Sequence, residues 1–299
     1  MTMVRRLTLA FCALCWAAMV VAQGDLLVNA NRKYQEGDLD GARTLLDQAV
    51  TGPELARAPE AWVLRGFVYK DLYKRAPLAP EADKLREEAL ASLYLSTELD
   101  TAREFRQSSI QAYDFLAKTL YNDAARSLNE LDHEKAQQRY SSYKEAVLRL
   151  DPKRDMRERD IEFHNALGTV YTKRFNQERV RQEWFDRAVL TYEHVLQLDA
   201  ENYGANYNLA TLYYNRGVYN IQRISSENDI PSLQRIQEVS REYFMQALPY
   251  MLKAFEMNPK RRETLLGLEG IYYSLQDEAK SDHYRQLYQA LDGGAPPDR

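Results

Sequence analysis

Asn206-x2-Leu209-Ala210-x2-Tyr213, followed by Ala247-x3-Met251-x2-Ala254 and closed by Pro259, is the stretch whose spacing decides the fold. At about 100° per residue, Asn206, Leu209, Ala210 and Tyr213 share one face of a helix. Two antiparallel helices approach closely only where small residues sit at the crossing. Ala210 supplies that position on the first helix, and Ala247 and Ala254 supply it on the second. Leu209, Tyr213 and Met251 then fill the space around the contact. The stretch predicts a helical hairpin, and Pro259 ends it.

The same two half-patterns recur along the chain. Ala42-x3-Leu46-x2-Ala49 forms the second half of a unit whose first half holds Asn29 and Ala30, with a break at Gly37-Asp38. Trp62-x2-Arg65-Gly66-x2-Tyr69 precedes Ala89-x3-Leu93-x2-Ser96, with a loop at Arg75 to Pro80 between them. Tyr113-x2-Leu116-Ala117-x2-Leu120 goes with Ala136-x3-Tyr140-x2-Tyr143, and His164-x2-Leu167-Gly168-x2-Tyr171 with Ala188-x3-Tyr192-x2-Val195. A sixth unit has Leu265-x2-Leu268-Glu269-x2-Tyr272 and a polar closing helix near Asp277 to Leu291. A closing dipeptide recurs at Leu99-Asp100, Leu150-Asp151, Leu198-Asp199 and Met257-Asn258, at intervals of 51, 48 and 59 residues.

These units resemble the tetratricopeptide repeat superfamily, whose pattern is W-x2-L-G-x2-Y…A-x3-F…P with a period of about 34 residues. The longer intervals here predict elongated hairpins. In the fifth unit both helices extend, with the turn near Ser225 to Pro231 and Ser232 as the cap of the returning helix. The resemblance implies an all-α, right-handed superhelical solenoid of antiparallel helix pairs, about six units long, whose first helices line a concave groove. A narrower likeness, over Tyr207 to Gly217, Ala247 to Tyr250 and Leu265 to Leu275, is to exported repeat proteins of the Bacteroidota. Arg65 and Glu269 depart from the pattern, in a leucine slot and a small-residue slot respectively.

Residues 1–22 read as a signal peptide. Arg5 and Arg6 precede an uncharged, mostly apolar run from Leu7 to Val21, and Val20-Val21-Ala22 is a small-residue cleavage site. The run is shorter than the roughly 20 residues that span a bilayer. Both cysteines, Cys12 and Cys15, fall inside this leader, so the mature chain has no thiol for a disulfide, a metal or a nucleophile. Residues 23–292 then form the repeat domain, and 293–299 a flexible tail. The expected location is the periplasm or cell envelope.

The net charge of −4 gives no support to a nucleic-acid partner. No H-E-x-x-H pair, Walker loop, G-x-S-x-G elbow or Gly-rich dinucleotide turn is present, so no cofactor, metal or catalytic residue is assigned. His164 falls in a packing slot, and Asp132-His133-Glu134 reads as a polar turn. The expected function is a non-enzymatic scaffold that binds a protein or peptide, with the membrane involved only peripherally.

The candidate groove is a polar, aromatic strip: Tyr207, Asn208, Thr211, Tyr214 and Asn215 in the fifth unit, and Asn165, Thr169, Thr172 and Lys173 one unit earlier. Hydroxyls and amides can bond an extended backbone, and tyrosine can stack on side chains. Packing of these tyrosines against neighbouring helices is the alternative, since tyrosine serves either use. A second reading of function is glycan or nutrient binding, for the chain holds 21 Tyr. Mass spectrometry of the native protein is expected to find Gln23 at the mature N-terminus. An intact Met1, or lipid on Cys15, would refute the cleavage.

Overall fold

In the computed structural model, residues 26–76 and 80–291 are described. The signal peptide and tail expected at the two ends lie outside them. Among the described residues there are twelve α-helices and no strand. They are α1 (26–35), α2 (Leu39–Ala49), α3 (Pro59–Arg75), α4 (Glu81–Leu99), α5 (Arg106–Asn129) and α6 (His133–Leu150). There follow α7 (Arg157–Gln177), α8 (Gln182–Leu198), α9 (Tyr203–Gln222), α10 (Ile230–Met257), α11 (Arg262–Ser274) and α12 (Glu278–Ala290). None of these helices is long and apolar enough to cross a membrane. The chain divides into two compact units. One holds the helices up to Ala124 together with Gln137–Arg154, and the other holds Ala125–Ala136 together with the chain from Asp155 onward.

Consecutive helices pair, as the repeated half-patterns require, and glycines and alanines sit where they cross. A Cβ on Gly66 of α3 would lie 2.5 Å from Leu93 of α4. One on Gly168 of α7 would lie 2.6 Å from the Tyr192 ring of α8, and one on Gly217 of α9 would lie 2.5 Å from Phe244 of α10. Ala210, Ala247, Met251 and Ala254 are all buried. In the second unit Ala210, Ala247 and Met251 join Leu265, Leu268, Ile271, Tyr272 and Tyr284 in one core. In the first, Ala30, Ala42, Leu46, Leu64 and Val68 form another. Buried apolar area of this kind is the main favourable term in folding.

The turns follow from local chemistry. Gly37 adopts φ +80°, a left-handed conformation that glycine takes without penalty. Asp38 then caps α2 by accepting from the Gly41 N–H at 2.9 Å. Pro59 opens α3, where its missing N–H costs nothing. The long fifth hairpin is as elongated as its interval implies, with a turn at 223–229. Its cap is Asp229, not Ser232: the Asp229 carboxylate accepts from the Ser232 N–H at 3.0 Å. A carboxylate at this position also suits the positive end of the helix dipole. Asp132 likewise caps α6, accepting from Lys135 N–H, so Asp132-His133-Glu134 is a helix start and not a turn.

The two departures from the repeat pattern are explained by ion pairs. Arg65, standing in a leucine slot of α3, donates to Asp47 on α2 at 2.9 Å and to Glu88 on α4 at 2.8 Å, and its guanidinium lies over the Tyr69 ring. It therefore joins three helices where leucine would have joined two. Glu269 turns its carboxylate to Arg285 of α12 at 2.7 Å, while its carbonyl accepts from Ser281 Oγ. Its side chain leaves the crossing, and the crossing stays open. Arg86, 1% exposed, lies between Asp83 and Asp123 and reaches Thr119 at 3.1 Å, tying α4 to α5.

Adjacent hairpins share a further device. Near the end of three first helices an arginine donates to a carbonyl in or beside the turn of the preceding hairpin. Arg75 reaches Gly37 O, Arg174 reaches Leu131 O and Arg216 reaches Arg179 O. Each link gives a turn carbonyl a side-chain donor from the next hairpin.

Gly168→Leu is expected to overpack the crossing beneath Tyr192 and to cost about 1–3 kcal/mol, read as a lowered Tm. Unchanged melting would mean that the helix register is wrong.

Candidate functional site

Within the second unit the first helices α7, α9 and α11 neighbour one another, with α9 touching α7 on one side and α11 on the other. Helical spacing sets what each presents. On α9, Tyr207, Thr211 and Tyr214 follow at i, i+4 and i+7. On α11, Leu266, Gly270 and Tyr273 do the same.

Three of the strip residues meet at one atom. Tyr192 of α8 is 1% exposed, and its hydroxyl lies 3.4 Å from both Thr169 Oγ1 and Thr172 Oγ1 on α7. Asn208 of α9 lies beside the same hydroxyl. Burial raises the Tyr192 pKa, and these three partners oppose the rise. Both threonines also donate to their own helix, Thr169 to Asn165 O and Thr172 to Gly168 O. The cluster is therefore a polar joint linking α7, α8 and α9. Its outer edge is Thr169, which is exposed.

Asn165 sits at the entry of α9. Its Nδ2 donates to Asn202 Oδ1 at 3.1 Å, and that same oxygen caps α9 by accepting from Ala205 N–H. Asn206, in the aromatic slot of the repeat, is buried and donates to Ala200 O and Asn202 O, which fixes the same turn. Lys173 stands exposed on α7, and Asn215 is half-buried on α9. Thr211 is half-buried and donates to Tyr207 O at 2.8 Å.

The two strip tyrosines are half-buried in seams. Tyr207 stacks on Tyr203 at 6.0 Å with rings 6° apart, and burial raises its pKa. Tyr214 packs 5.6 Å from Phe244 of α10, and its hydroxyl lies where a Cβ on Gly270 of α11 would come within 2.9 Å. Both rings border the core shared by α9, α10, α11 and α12. They thus pack on one edge and face solvent on the other. Tyr203, outside the strip, meets Thr264 Oγ1 at 2.8 Å and helps to join α9 to α11.

Two exposed apolar residues on α11 extend this face and were not singled out from sequence: Tyr273 is 70% exposed and Leu266 46%. The only sequence signal is their i, i+7 spacing opposite the buried Leu265, Leu268 and Tyr272.

The histidines are taken up by packing. His164 is half-buried, with Nδ1 2.7 Å from Asp160 O and its ring 4.6 Å from His194. His133 lies edge-on to Tyr171 and Trp184, and burial lowers its pKa, helped by nearby Arg187. Among the described residues no group of three or more His, Cys, Asp or Glu could hold a metal ion.

No protein-family model matches the chain. No curated protein matches it either. Solved structures do match, among them the one titled "Functional Characterization of Pseudomonas Aeruginosa pilF". The two chains are 16% identical, the match covers 92% of this chain and 93% of that one, and the TM-score is 0.35. The tetratricopeptide-like character of the fold is carried by the hairpins themselves, through their consecutive pairing and their small-residue crossings.

Tyr214→Ala is expected to lower stability by about 1–3 kcal/mol, because it opens the seam between α9, α10 and α11. Lys173→Ala is expected to change it by less than about 0.5 kcal/mol. Equal melting temperatures for the two variants would show that Tyr214 does not fill a seam.

Proposed function

We propose that the chain is a non-enzymatic interaction scaffold of the bacterial cell envelope, which binds a protein or peptide on the first-helix face of its second unit. The observation that carries this reading is the uncovered surface of α7, α9 and α11. Thr169, Lys173, Leu266 and Tyr273 are exposed there, beside the half-exposed rings of Tyr207 and Tyr214. A rigid helical support bearing aromatic anchors among hydroxyls, amides and one ammonium suits an extended polypeptide. The rings bury apolar area, and the polar groups bond a backbone.

The non-enzymatic part of the reading is supported by what the buried and half-buried polar side chains do. Arg65, Arg86, Tyr192 and Asn206 each join helices to one another or to a turn. The envelope location is supported by the leader-like residues 1–22 and by a chain whose cysteines both fall within them. The resemblance to exported Bacteroidota repeat proteins points the same way.

The test is a crosslinking pull-down from native envelope, followed by titration of the recovered partner. A Leu266→Ala, Tyr273→Ala double variant is expected to melt like the wild type, since both positions are exposed. It is expected to bind at least about tenfold more weakly, as loss of aromatic anchors does at interfaces. Unchanged affinity, or recovery of a soluble glycan as the bound species, would overturn the assignment.

A further inference from the structure

The second helices of the same unit frame a separate cleft. Positions Gln182, Asp186, Val189, Leu190 and Glu193 of α8 follow one helical stripe. Tyr243, Gln246 and Tyr250 of α10 form the facing one, and Tyr213 of α9 rises between them. The cleft between Gln182 and Gln246 measures about 390 Å³, and Tyr250 and Glu193 continue it beyond its own lining, Tyr250 against Tyr213 and Glu193 beside both rings. Phe185 lies at its base, 4% exposed, edge-on to Tyr213 at 5.6 Å and to Tyr243 at 5.7 Å. Tyr213 stacks on Tyr250 at 6.2 Å with rings 10° apart, and meets Tyr243 at 6.4 Å. The result is a wall of three half-exposed tyrosine rings.

The charge in this cleft has one sign. Asp186 is exposed, and among the described residues its carboxylate accepts from Gln182 Nε2, a neutral donor, at 2.9 Å and forms no ion pair. Glu193 is half-buried, and among the described residues its side chain has neither an ion pair nor a hydrogen bond. It lies close enough to Tyr213 and Tyr250 to add to the rise that burial gives both phenols, Tyr213 to about 12. The faces of the neutral phenol rings carry the negative side of the aromatic quadrupole, which attracts a cation. No lysine or arginine lines the cleft. Of the bases that flank this stretch of α10, Arg241 falls on the side of the helix away from Tyr243, and Lys253 is engaged by Glu201 and Glu256.

We propose that this cleft binds the cationic side chain of an arginine or lysine in an extended segment of a partner polypeptide, the cation lying on the tyrosine faces and paired with Glu193 and Asp186. Charge complementarity decides the occupant. Two carboxylates without a cation, set against electron-rich ring faces, are the complement of a guanidinium or ammonium. A neutral sugar could stack on the rings and would leave both charges uncompensated. The length also suits a strand: the α8 stripe from Gln182 to Glu193 spans ~16 Å. That is room for about five extended residues. Leu190, 66% exposed on the rim, offers apolar contact to the intervening side chain. This site is framed by α8 and α10 and shares only α9, through Tyr213, with the face proposed above; no residue belongs to both, and it stands or falls without that face.

The experiment is calorimetric titration of the full chain with a capped decapeptide alternating arginine and leucine. The controls are the same peptide with glutamate for arginine, and maltohexaose. The arginine peptide is expected to bind, more weakly as salt rises, and the two controls are not. Glu193→Gln is expected to weaken binding by about tenfold. Tyr250→Leu, which keeps apolar volume and removes the ring, is expected to weaken it by about threefold to fivefold, while Tyr250→Phe retains it. Should Tyr250→Leu melt early, Asp186→Asn and Glu193→Gln decide alone, since Asp186 is exposed and Glu193 holds nothing in place. Equal binding of the arginine and glutamate peptides would overturn the proposal. So would an unaltered affinity in Glu193→Gln, preference for maltohexaose, or loss of the peptide in Tyr273→Ala instead, which would place it on the first-helix face.

Discussion

Where the two helices of a hairpin cross, a large side chain of the second helix lies on a residue of the first that has almost no side chain. Leu93 over Gly66, Tyr192 over Gly168 and Phe244 over Gly217 are instances at distances that leave no space for one more carbon. The constraint is steric, so it fixes the helix register as well as the approach. It also explains why glycine is accepted inside helices here, at a cost of about 1 kcal/mol each relative to alanine. Close packing returns more than that, since contacts between well-fitted surfaces accumulate over many atoms. Everything on the outer faces inherits its position from these contacts. Tyr192 has its hydroxyl beside Thr169 and Thr172 because its ring lies on Gly168.

Polar links add specificity to the apolar crossings. A small-residue crossing says which two helices form a hairpin. It does not say which hairpin comes next. The arginines at positions 75, 174 and 216 answer that with one bond each to the preceding hairpin's turn. Arg65 and Arg86 join helices of successive hairpins through carboxylates. A buried pair such as Arg86 with Asp83 and Asp123 adds little net stability over an apolar substitute, but removing one partner is costly. Such pairs favour one neighbour arrangement over others of similar apolar area.

Much of the fold was legible because its determinants are local. The spacing of Ala210, Ala247 and Met251, the Gly37-Asp38 break and the 59-residue interval before Met257-Asn258 all act within one hairpin. The cap of α10 was misplaced onto Ser232 because Asp229 and Ser232 are both good caps. Which one serves depends on where Pro231 falls: with Asp229 as the cap it sits within the first turn, and with Ser232 it would precede the helix. Of the candidate face, helical arithmetic put Tyr207, Thr211 and Tyr214 on a common stripe. It could not show that two of these rings also border the core of the next hairpin, because that depends on the width of the seam against α11. The cleft between α8 and α10 was hidden for the same reason: Tyr213 was read as a packing residue, which it is on one edge only. Tetratricopeptide spacing marks the slot and does not say how far a side chain fills it.

Among the described residues each unit contains one tryptophan, and their surroundings differ. Trp62 donates its indole N–H to Ala56 O at 2.9 Å, whereas the Trp184 N–H is buried without a partner. Trp184 lies 5.2 Å from the His133 ring and 5.5 Å from the Arg187 guanidinium. A cationic imidazolium against an indole drains its excited state, so His133 makes the emission of the second unit sensitive to acid, with no such neighbour imposed on the first. Among the described residues the two tryptophans are thus optical probes, one in each unit, and acidity separates their signals without any label.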